Sequence, residues 1–453
     1  MVNLIHIVMM KHLGHCGKMN NVNVIFLCVG CIIGWGAFVL PQDLFLSQIG
    51  LSESIIGLFL GAVAMCLIAS NYAFLLEVFR KGGGEFYFAL QALGRTHGFI
   101  CGWFLSLAYL CIIPLNATAL HIMSHSLGLS GNVIIYVINN ESIYLVDIII
   151  SILSIFCVGV ANILGIRTAL MLQKFLILIL CASVLFFFVT MSVDVSSWYN
   201  FHSYLSFEHF NIHSILIVFT LTPWAYLGFD CAVQIIESLR YKKRLFNAFM
   251  YVSIWIGFLL YVLLICVSAF GVDKEHILSP HWAIYEGIYQ SFGTYGSILL
   301  CIGVFGAILS GINGFFITTS KIIESLSVHH FLPKSLLYSN CFGIPYRIIY
   351  IIGFLSCVMV LFGRSALLYI VDMACVGIII GFLYVSIITF RLKKTHLKYF
   401  SFSSFLSIIV SILFLLLEFL PFSPAALKMP SVIALIVWSV LGGVIFVCFK
   451  HRI

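Results

Sequence analysis

The chain has 453 residues, of which 62% are hydrophobic and only 9% charged, and its formal net charge is +7. Soluble domains carry roughly 25% charged residues, so a soluble globular protein is excluded. At about 20 residues per membrane-spanning helix, this length holds a dozen helices with short connections and leaves no room for a large soluble domain.

The stretch from Met1 to Asn20 contains Lys11, Lys18 and three histidines, and it ends without a small-residue cleavage site. It reads as the end of a short cytoplasmic tail over residues 1–21 rather than as a signal peptide. Apolar runs then predict twelve spans, at 22–47, 54–78, 98–124, 145–164, 170–192, 213–238, 246–270, 295–325, 346–362, 366–390, 402–420 and 431–449. With the N-terminus inside, the outward loops contain only Lys274, Arg364 and Lys428 of the 23 basic residues. The clusters Arg240-Tyr241-Lys242-Lys243-Arg244 and Arg391 through Lys398 fall on the inner side. That asymmetry follows the positive-inside rule and puts both termini in the cytoplasm, with residues 450–453 as the C-terminal end. The positive charge reports topology and does not point to a nucleic-acid partner. Fifteen cysteines scattered through apolar runs give no secreted-type disulfide framework. Cys28 and Cys31 form a C-x-x-C pattern on an apolar helix without charged neighbours to activate a thiol, so packing is favoured over redox or metal chemistry.

Two spans carry a break where a helix should be continuous. The first reads Cys31-Ile32-Ile33-Gly34-Trp35-Gly36-Ala37-Phe38, and the second Pro223-Trp224-Ala225-Tyr226-Leu227-Gly228-Phe229-Asp230. Hydrocarbon offers no water to loose backbone groups, so unwound chain is tolerated there only where it lines a cavity or binds something. A matched pair of broken helices is a pointer to a transporter's substrate site. Because the breaks lie in spans one and six, they fit a five-plus-five inverted repeat over 22–192 and 213–390, with two further helices over 402–449.

Within the breaks, Gly34 and Gly36 free the backbone, and the half-helix beginning near Ala37 turns its positive end towards a substrate carboxylate. Pro223 removes a backbone donor, and Trp224 and Tyr226 are rings able to cover a bound amine. Small-residue helix packing is the rival reading of the glycines. Asp230 lies near mid-membrane, where an unpartnered carboxylate costs roughly 2.5–3.5 kcal/mol. It is a candidate proton-coupling site, with a structural hydrogen-bonding role as the rival, and Asp372 in span ten is the next candidate. Glu77, Lys174, Glu237 and Glu324 lie close enough to the inner surface to snorkel. His121 reads as a helix–helix hydrogen-bonding residue.

These residues together resemble the amino acid–polyamine–organocation superfamily of permeases, from about Asn23 to Lys334 and more faintly to span ten. The resemblance rests on Gly30-Cys31-Ile32-Ile33-Gly34-Trp35-Gly36-Ala37-Phe38-Val39-Leu40-Pro41, on Gly83-Gly84-Glu85-Phe86-Tyr87, and on Gly98-Phe99-Ile100-Cys101-Gly102-Trp103. It rests further on Trp224-Ala225-Tyr226-Leu227-Gly228-Phe229-Asp230, and on Ser310-Gly311-Ile312-Asn313-Gly314 with Phe331-Leu332-Pro333 after it. It implies an all-α polytopic protein with a LeuT-type 5+5 inverted repeat plus two C-terminal helices, and transport of amino acids or related amines. By that analogy the backbone at Ile32, Ile33, Gly34, Trp35 and Gly36 holds the substrate's carboxylate and amino groups. Trp224 becomes an aromatic lid with Leu227 and Gly228 beside it, and Asp230 a pH or proton element. The chain departs from the pattern at Trp35, where relatives carry a small residue, and at Ile236-Glu237, Tyr241, Phe246 and Lys321.

The expectation is therefore a multi-pass permease of the cell's cytoplasmic membrane, working by alternating access and driven by protons or by exchange. Its partners are the bilayer, a small amino acid or amine, and a proton or counter-substrate. Neither cofactor nor resident metal is expected, and the chain has no G-x-x-x-x-G-K-[ST] loop for ATP hydrolysis. Two other classes stay open: a membrane sensor or scaffold that binds solute without moving it, and a polytopic membrane enzyme, for which no nucleophile–histidine–carboxylate cluster can be read.

Overall fold

The computed structural model describes residues 22–79, 83–129, 133–138, 141–205, 211–238, 243–274, 277, 282–396, 400–421, 423 and 425–450. The predicted tail, most of the Arg240–Arg244 cluster and the last three residues lie outside these. The chain is mostly helical. Among the described residues nine helices are long and apolar enough to cross a membrane, and a bent pair makes a tenth. A bilayer core about 30 Å thick needs that length, since an α-helix rises 1.5 Å per residue.

The bent pair opens the structure. Helix α1 (Asn23–Ile32) ends at Ile33, whose φ of −98° and ψ of 91° are extended rather than helical. The chain then resumes as α2 (Gly36–Leu40) and runs directly into a π-helical stretch, Pro41–Ile49. The two arms meet at 47°. Next come α3 (Leu51–Phe79), a short α4 (Gly84–Leu93), α5 (Arg95–Thr118) and α6 (Leu120–Ser126). An antiparallel hairpin of β1 (Ile134–Ile138) and β2 (Glu141–Tyr144) follows, which the hydropathy pattern did not foretell. Helices α7 (Leu145–Ile163), α8 (Ile166–Val193) and α9 (Val195–Ser203) complete the first part.

The second part begins with the other break. Where 213–238 was expected to form one span, the chain makes three short helices: α10 (Ile212–Thr220), α11 (Thr222–Ala225) and α12 (Cys231–Gln234). Non-helical turn fills 226–230, and Gly228 there has φ +126°. Then follow α13 (Lys243–Gly271), α14 (Ala283–Val328), α15 (Tyr346–Val360), α16 (Gly363–His396), α17 (Phe402–Phe419) and α18 (Met429–Lys450). Gly293 kinks α14 at φ 64°, so a shorter helix precedes the predicted span at 295–325.

Helix α5 is the hub. It packs against α4, α7, α14, α15 and α16 and is the most enclosed of the long helices. Helix α1 packs between α8, α13 and α14, so the first arm of the break is walled by protein. Outward faces carry large apolar side chains such as Phe156, Phe175, Phe354 and Val440, as a surface solvated by hydrocarbon requires. Helix α18 is the most peripheral, touching chiefly α16 and α5.

Candidate functional site

The two breaks face each other, and the contact explains their glycines. A methyl group on Gly228 would sit 2.3 Å from Cys31 Cβ and 2.9 Å from the Cys31 carbonyl carbon. On Gly36 it would meet the Trp224 ring at 2.6 Å, and on Gly34 the Asn116 side-chain oxygen at 2.8 Å. At each glycine the nearest atom is closer than a Cβ tolerates: the chain of the first break at Gly228, the Trp224 ring at Gly36 and the Asn116 side chain of α5 at Gly34. The positive φ of Gly228 also requires glycine.

Between the breaks lies a cavity whose empty space, its mouth included, is ≈ 350 Å³. The first break supplies Cys31, Ile32, Gly34, Trp35, Gly36 and Ala37 to its wall, and the second supplies Trp224 and Leu227. The remaining lining comes from Ile112, Leu115 and Asn116 on α5, Tyr261 on α13 and Phe315 on α14. Asn116 is tied into the first break: its Oδ1 accepts from the Trp35 backbone N–H at 3.4 Å and its Nδ2 donates to the Ile112 carbonyl at 3.0 Å. Tyr261 donates its hydroxyl to the Ala225 carbonyl at 3.3 Å, which braces the second break. The Trp35 indole Nε1 is buried and has no hydrogen-bond partner. A buried donor left unpaired costs about 1–3 kcal/mol, which a bound acceptor would recover.

Six of the residues predicted for substrate contact thus line the cavity: Ile32, Gly34, Trp35, Gly36, Trp224 and Leu227. Ile33, Tyr226 and Gly228 do not. Ile33 is the extended residue of the break and is fully buried. Tyr226 turns away, and its hydroxyl donates to the Leu58 carbonyl on α3 at 2.9 Å. Gly228 serves the contact between the breaks.

Asp230 is fully buried beside the cavity rather than in its wall. Its Oδ1 accepts from the Gly228 backbone N–H at 3.0 Å, and its Oδ2 accepts from the Tyr109 hydroxyl at 2.5 Å. The carboxyl therefore holds the turn of the second break and links it to α5. A second buried acid lies close by. Glu85, in the first turn of α4, accepts from the Tyr72 hydroxyl at 2.7 Å and from Gln234 Nε2 at 2.6 Å. Gln234 is four residues beyond Asp230, so the short helix α12 joins the two acids. Sequence reading noted Glu85 only within the Gly83–Tyr87 stretch and did not single it out. Asp372 is elsewhere: Ser431 Oγ donates to its Oδ2 at 3.5 Å at the start of α18.

Arg364 packs against two residues of the cavity wall, Trp35 and Leu115. Its guanidinium lies 3.5 Å above the Trp35 ring, and its Nη1 donates to the Leu115 carbonyl at 3.5 Å. Arg364 also lines a second, neighbouring hollow together with Thr118, His121, Ser142, Asp147 and Ser151. The Trp35–Arg364 stack is thus the partition between the two spaces. His121 Nδ1 lies 2.6 Å from the Thr118 carbonyl, a local helix contact. Cys28 donates its thiol to the Phe229 carbonyl at 3.3 Å, a further tie between the breaks. No group of three or more metal-ligating side chains occurs among the described residues.

A bundle of apolar helices, two of its spans broken beside a cavity, is that of a polytopic membrane protein. The chain belongs to the amino acid permease family, whose model matches residues 20–448. It is a permease-family protein of the amino acid–polyamine–organocation superfamily, and not a member of a family of enzymes. It is similar to the vacuolar cationic amino acid transporter 4 of Arabidopsis thaliana, with 22% identity over 389 residues. That alignment covers 83% of this chain and 63% of the plant protein, so the chain spans under two thirds of that relative's length.

Proposed function

We propose that the chain is a secondary active transporter that moves an amino acid or small amine across a membrane by alternating access. The observation that carries the reading is the cavity between two facing helix breaks, lined by Trp35, whose buried indole N–H has no hydrogen-bond partner. Family membership supports it, and the position of the breaks supports a LeuT-type arrangement. In that arrangement 22–192 and 213–390 form inverted five-helix repeats and 402–449 two added helices. Twelve spans then follow if α10–α12 make one broken span and the 15-residue α15 another. The charge asymmetry supports a cytoplasmic position for both termini and the large basic clusters, and the cytoplasmic membrane is the proposed location.

In this reading the substrate carboxylate takes the Trp35 indole N–H and the loose amides of the first break, and its ammonium takes carbonyls there. Trp224 covers it from the second break. The Trp35–Arg364 stack closes the outer side, and rocking of the two repeats opens one side at a time. Asp230 is the proposed proton-coupling residue. A fully buried carboxyl between a backbone N–H and a phenol is held in place, yet neither of these hydrogen-bond partners is a basic side chain. Exchange against a second solute is the other proposed drive. The test is substrate accumulation by purified protein in proteoliposomes. Binding of amino acids without flux would make the chain a sensor and refute the proposal.

A further inference from the structure

We infer that the central cavity selects amino acids with an uncharged side chain and rejects cationic ones, against the name of the plant relative. The inference rests on the substrate site proposed above and deepens it. No aspartate, glutamate, lysine, arginine or histidine lies in the cavity wall: its polar side chains are Asn116, Tyr261, Cys31 and the indoles of Trp35 and Trp224, and the rest are apolar or glycine. A zwitterion's two backbone charges can be met by such a wall, through the unpaired Trp35 Nε1 and the unwound main chain. A third charge on the substrate's side chain would be buried against Ile112, Leu115, Leu227 or Phe315 with nothing to pair it. Burying an unpaired charge is among the costliest events in a protein interior.

The acids that could have served a cation are committed or displaced. Both oxygens of Asp230 are taken, by the Gly228 N–H and the Tyr109 hydroxyl, and Asp230 is absent from the wall. Glu85 accepts from Tyr72 and Gln234. Asp147 lines the other hollow, and its two oxygens lie 3.1 Å from Ser124 Oγ and 3.3 Å from His125 Nε2. Asp43 carries an electrostatic interaction with Arg364 and is also outside the wall. The charge that does press on the cavity is positive, since Arg364 sits on the Trp35 ring. Like charge close by disfavours a cation further.

The experiment uses the purified full-length chain and the probes L-alanine, L-leucine, L-arginine and L-lysine. Ligand-induced thermal stabilisation reads binding alone, and counterflow in proteoliposomes reads transport. Alanine or leucine should stabilise the protein, and arginine and lysine should need at least about tenfold higher concentration for the same shift. Stabilisation by arginine or lysine at equal or lower concentration, or by no neutral amino acid, overturns the inference. Neutral amino acids that bind without counterflow would uphold this selectivity while sinking the transport reading. In Asn116→Asp, a near-isosteric change that puts a carboxylate on the wall, the preference should move towards lysine by about tenfold. An unchanged ratio in a folded variant would also overturn it.

Discussion

Replacing Gly228 by alanine should unlock the contact between the two breaks. The new methyl group would be 2.3 Å from Cys31 Cβ, with main chain also too near: the Cys31 carbonyl carbon at 2.9 Å and the Ile32 nitrogen at 3.0 Å. Main chain cannot rotate out of the way as the tip of a long side chain can. Alanine must also accept φ +126°, a strain of order 1–3 kcal/mol. Overpacking adds about 1–3 kcal/mol. The sum, about 2–6 kcal/mol, is at least thirtyfold in the population of the packed state, since 1.4 kcal/mol is tenfold. Thermal unfolding in detergent and uptake by proteoliposomes both report on it, with Gly443→Ala on α18 as the control because nothing lies within 4 Å of its added methyl. Gly228→Ala should lose several degrees of stability and most uptake while Gly443→Ala loses neither. If the two variants behave alike, the breaks do not depend on each other and the reasoning is wrong.

Trp35→Phe keeps a ring beneath Arg364 but deletes the unpaired indole N–H. Because a hydrogen bond to a charged group contributes about 1.5–3 kcal/mol, substrate affinity by thermal shift should fall more than tenfold, and unchanged affinity would remove Trp35 from the site. Trp224→Ala should weaken substrate binding without disturbing membrane insertion, measured by surface labelling alongside binding; unaltered binding dismisses the lid. Asp230→Asn keeps an acceptor for the Gly228 N–H but cannot carry a proton, so the pH dependence of uptake should flatten while exchange persists in part. A pH profile like that of the unaltered protein rules out the coupling role. Tyr109→Phe strips Asp230 Oδ2 of its hydroxyl partner and should destabilise the fold by about 1–3 kcal/mol in thermal unfolding.

The breaks were legible because glycine and proline inside an apolar run contradict the local demand for an unbroken helix, and such conflicts are visible in one dimension. Asp230 was legible for a similar reason, as a charge set in oil. Asn116, Tyr261 and Phe315 gave no such signal, since each is an ordinary residue of a long helix brought to the cavity only by packing. Tyr226 shows the limit of reading a motif as a block. It lies between Trp224 and Leu227, which are three residues apart and share a face, while its own ring points to α3. Arg364 counted as an outer-loop charge in the topology argument, yet it opens α16 and reaches inward to Trp35. Glu85 stood only as one residue of a short motif and is fully buried, because Tyr72 and Gln234 arrive from α3 and α12 to receive it. Helices α4 and α9 and the β1–β2 hairpin escaped notice because they are short and lie between the apolar runs.

Counterflow tests the central claim most directly: proteoliposomes carrying the purified chain are loaded with unlabelled amino acid and given a trace of the labelled one outside. Transient accumulation of label, abolished in Gly228→Ala, is the predicted result. Vesicles that never concentrate label, though the same protein binds that amino acid in detergent, would contradict the account.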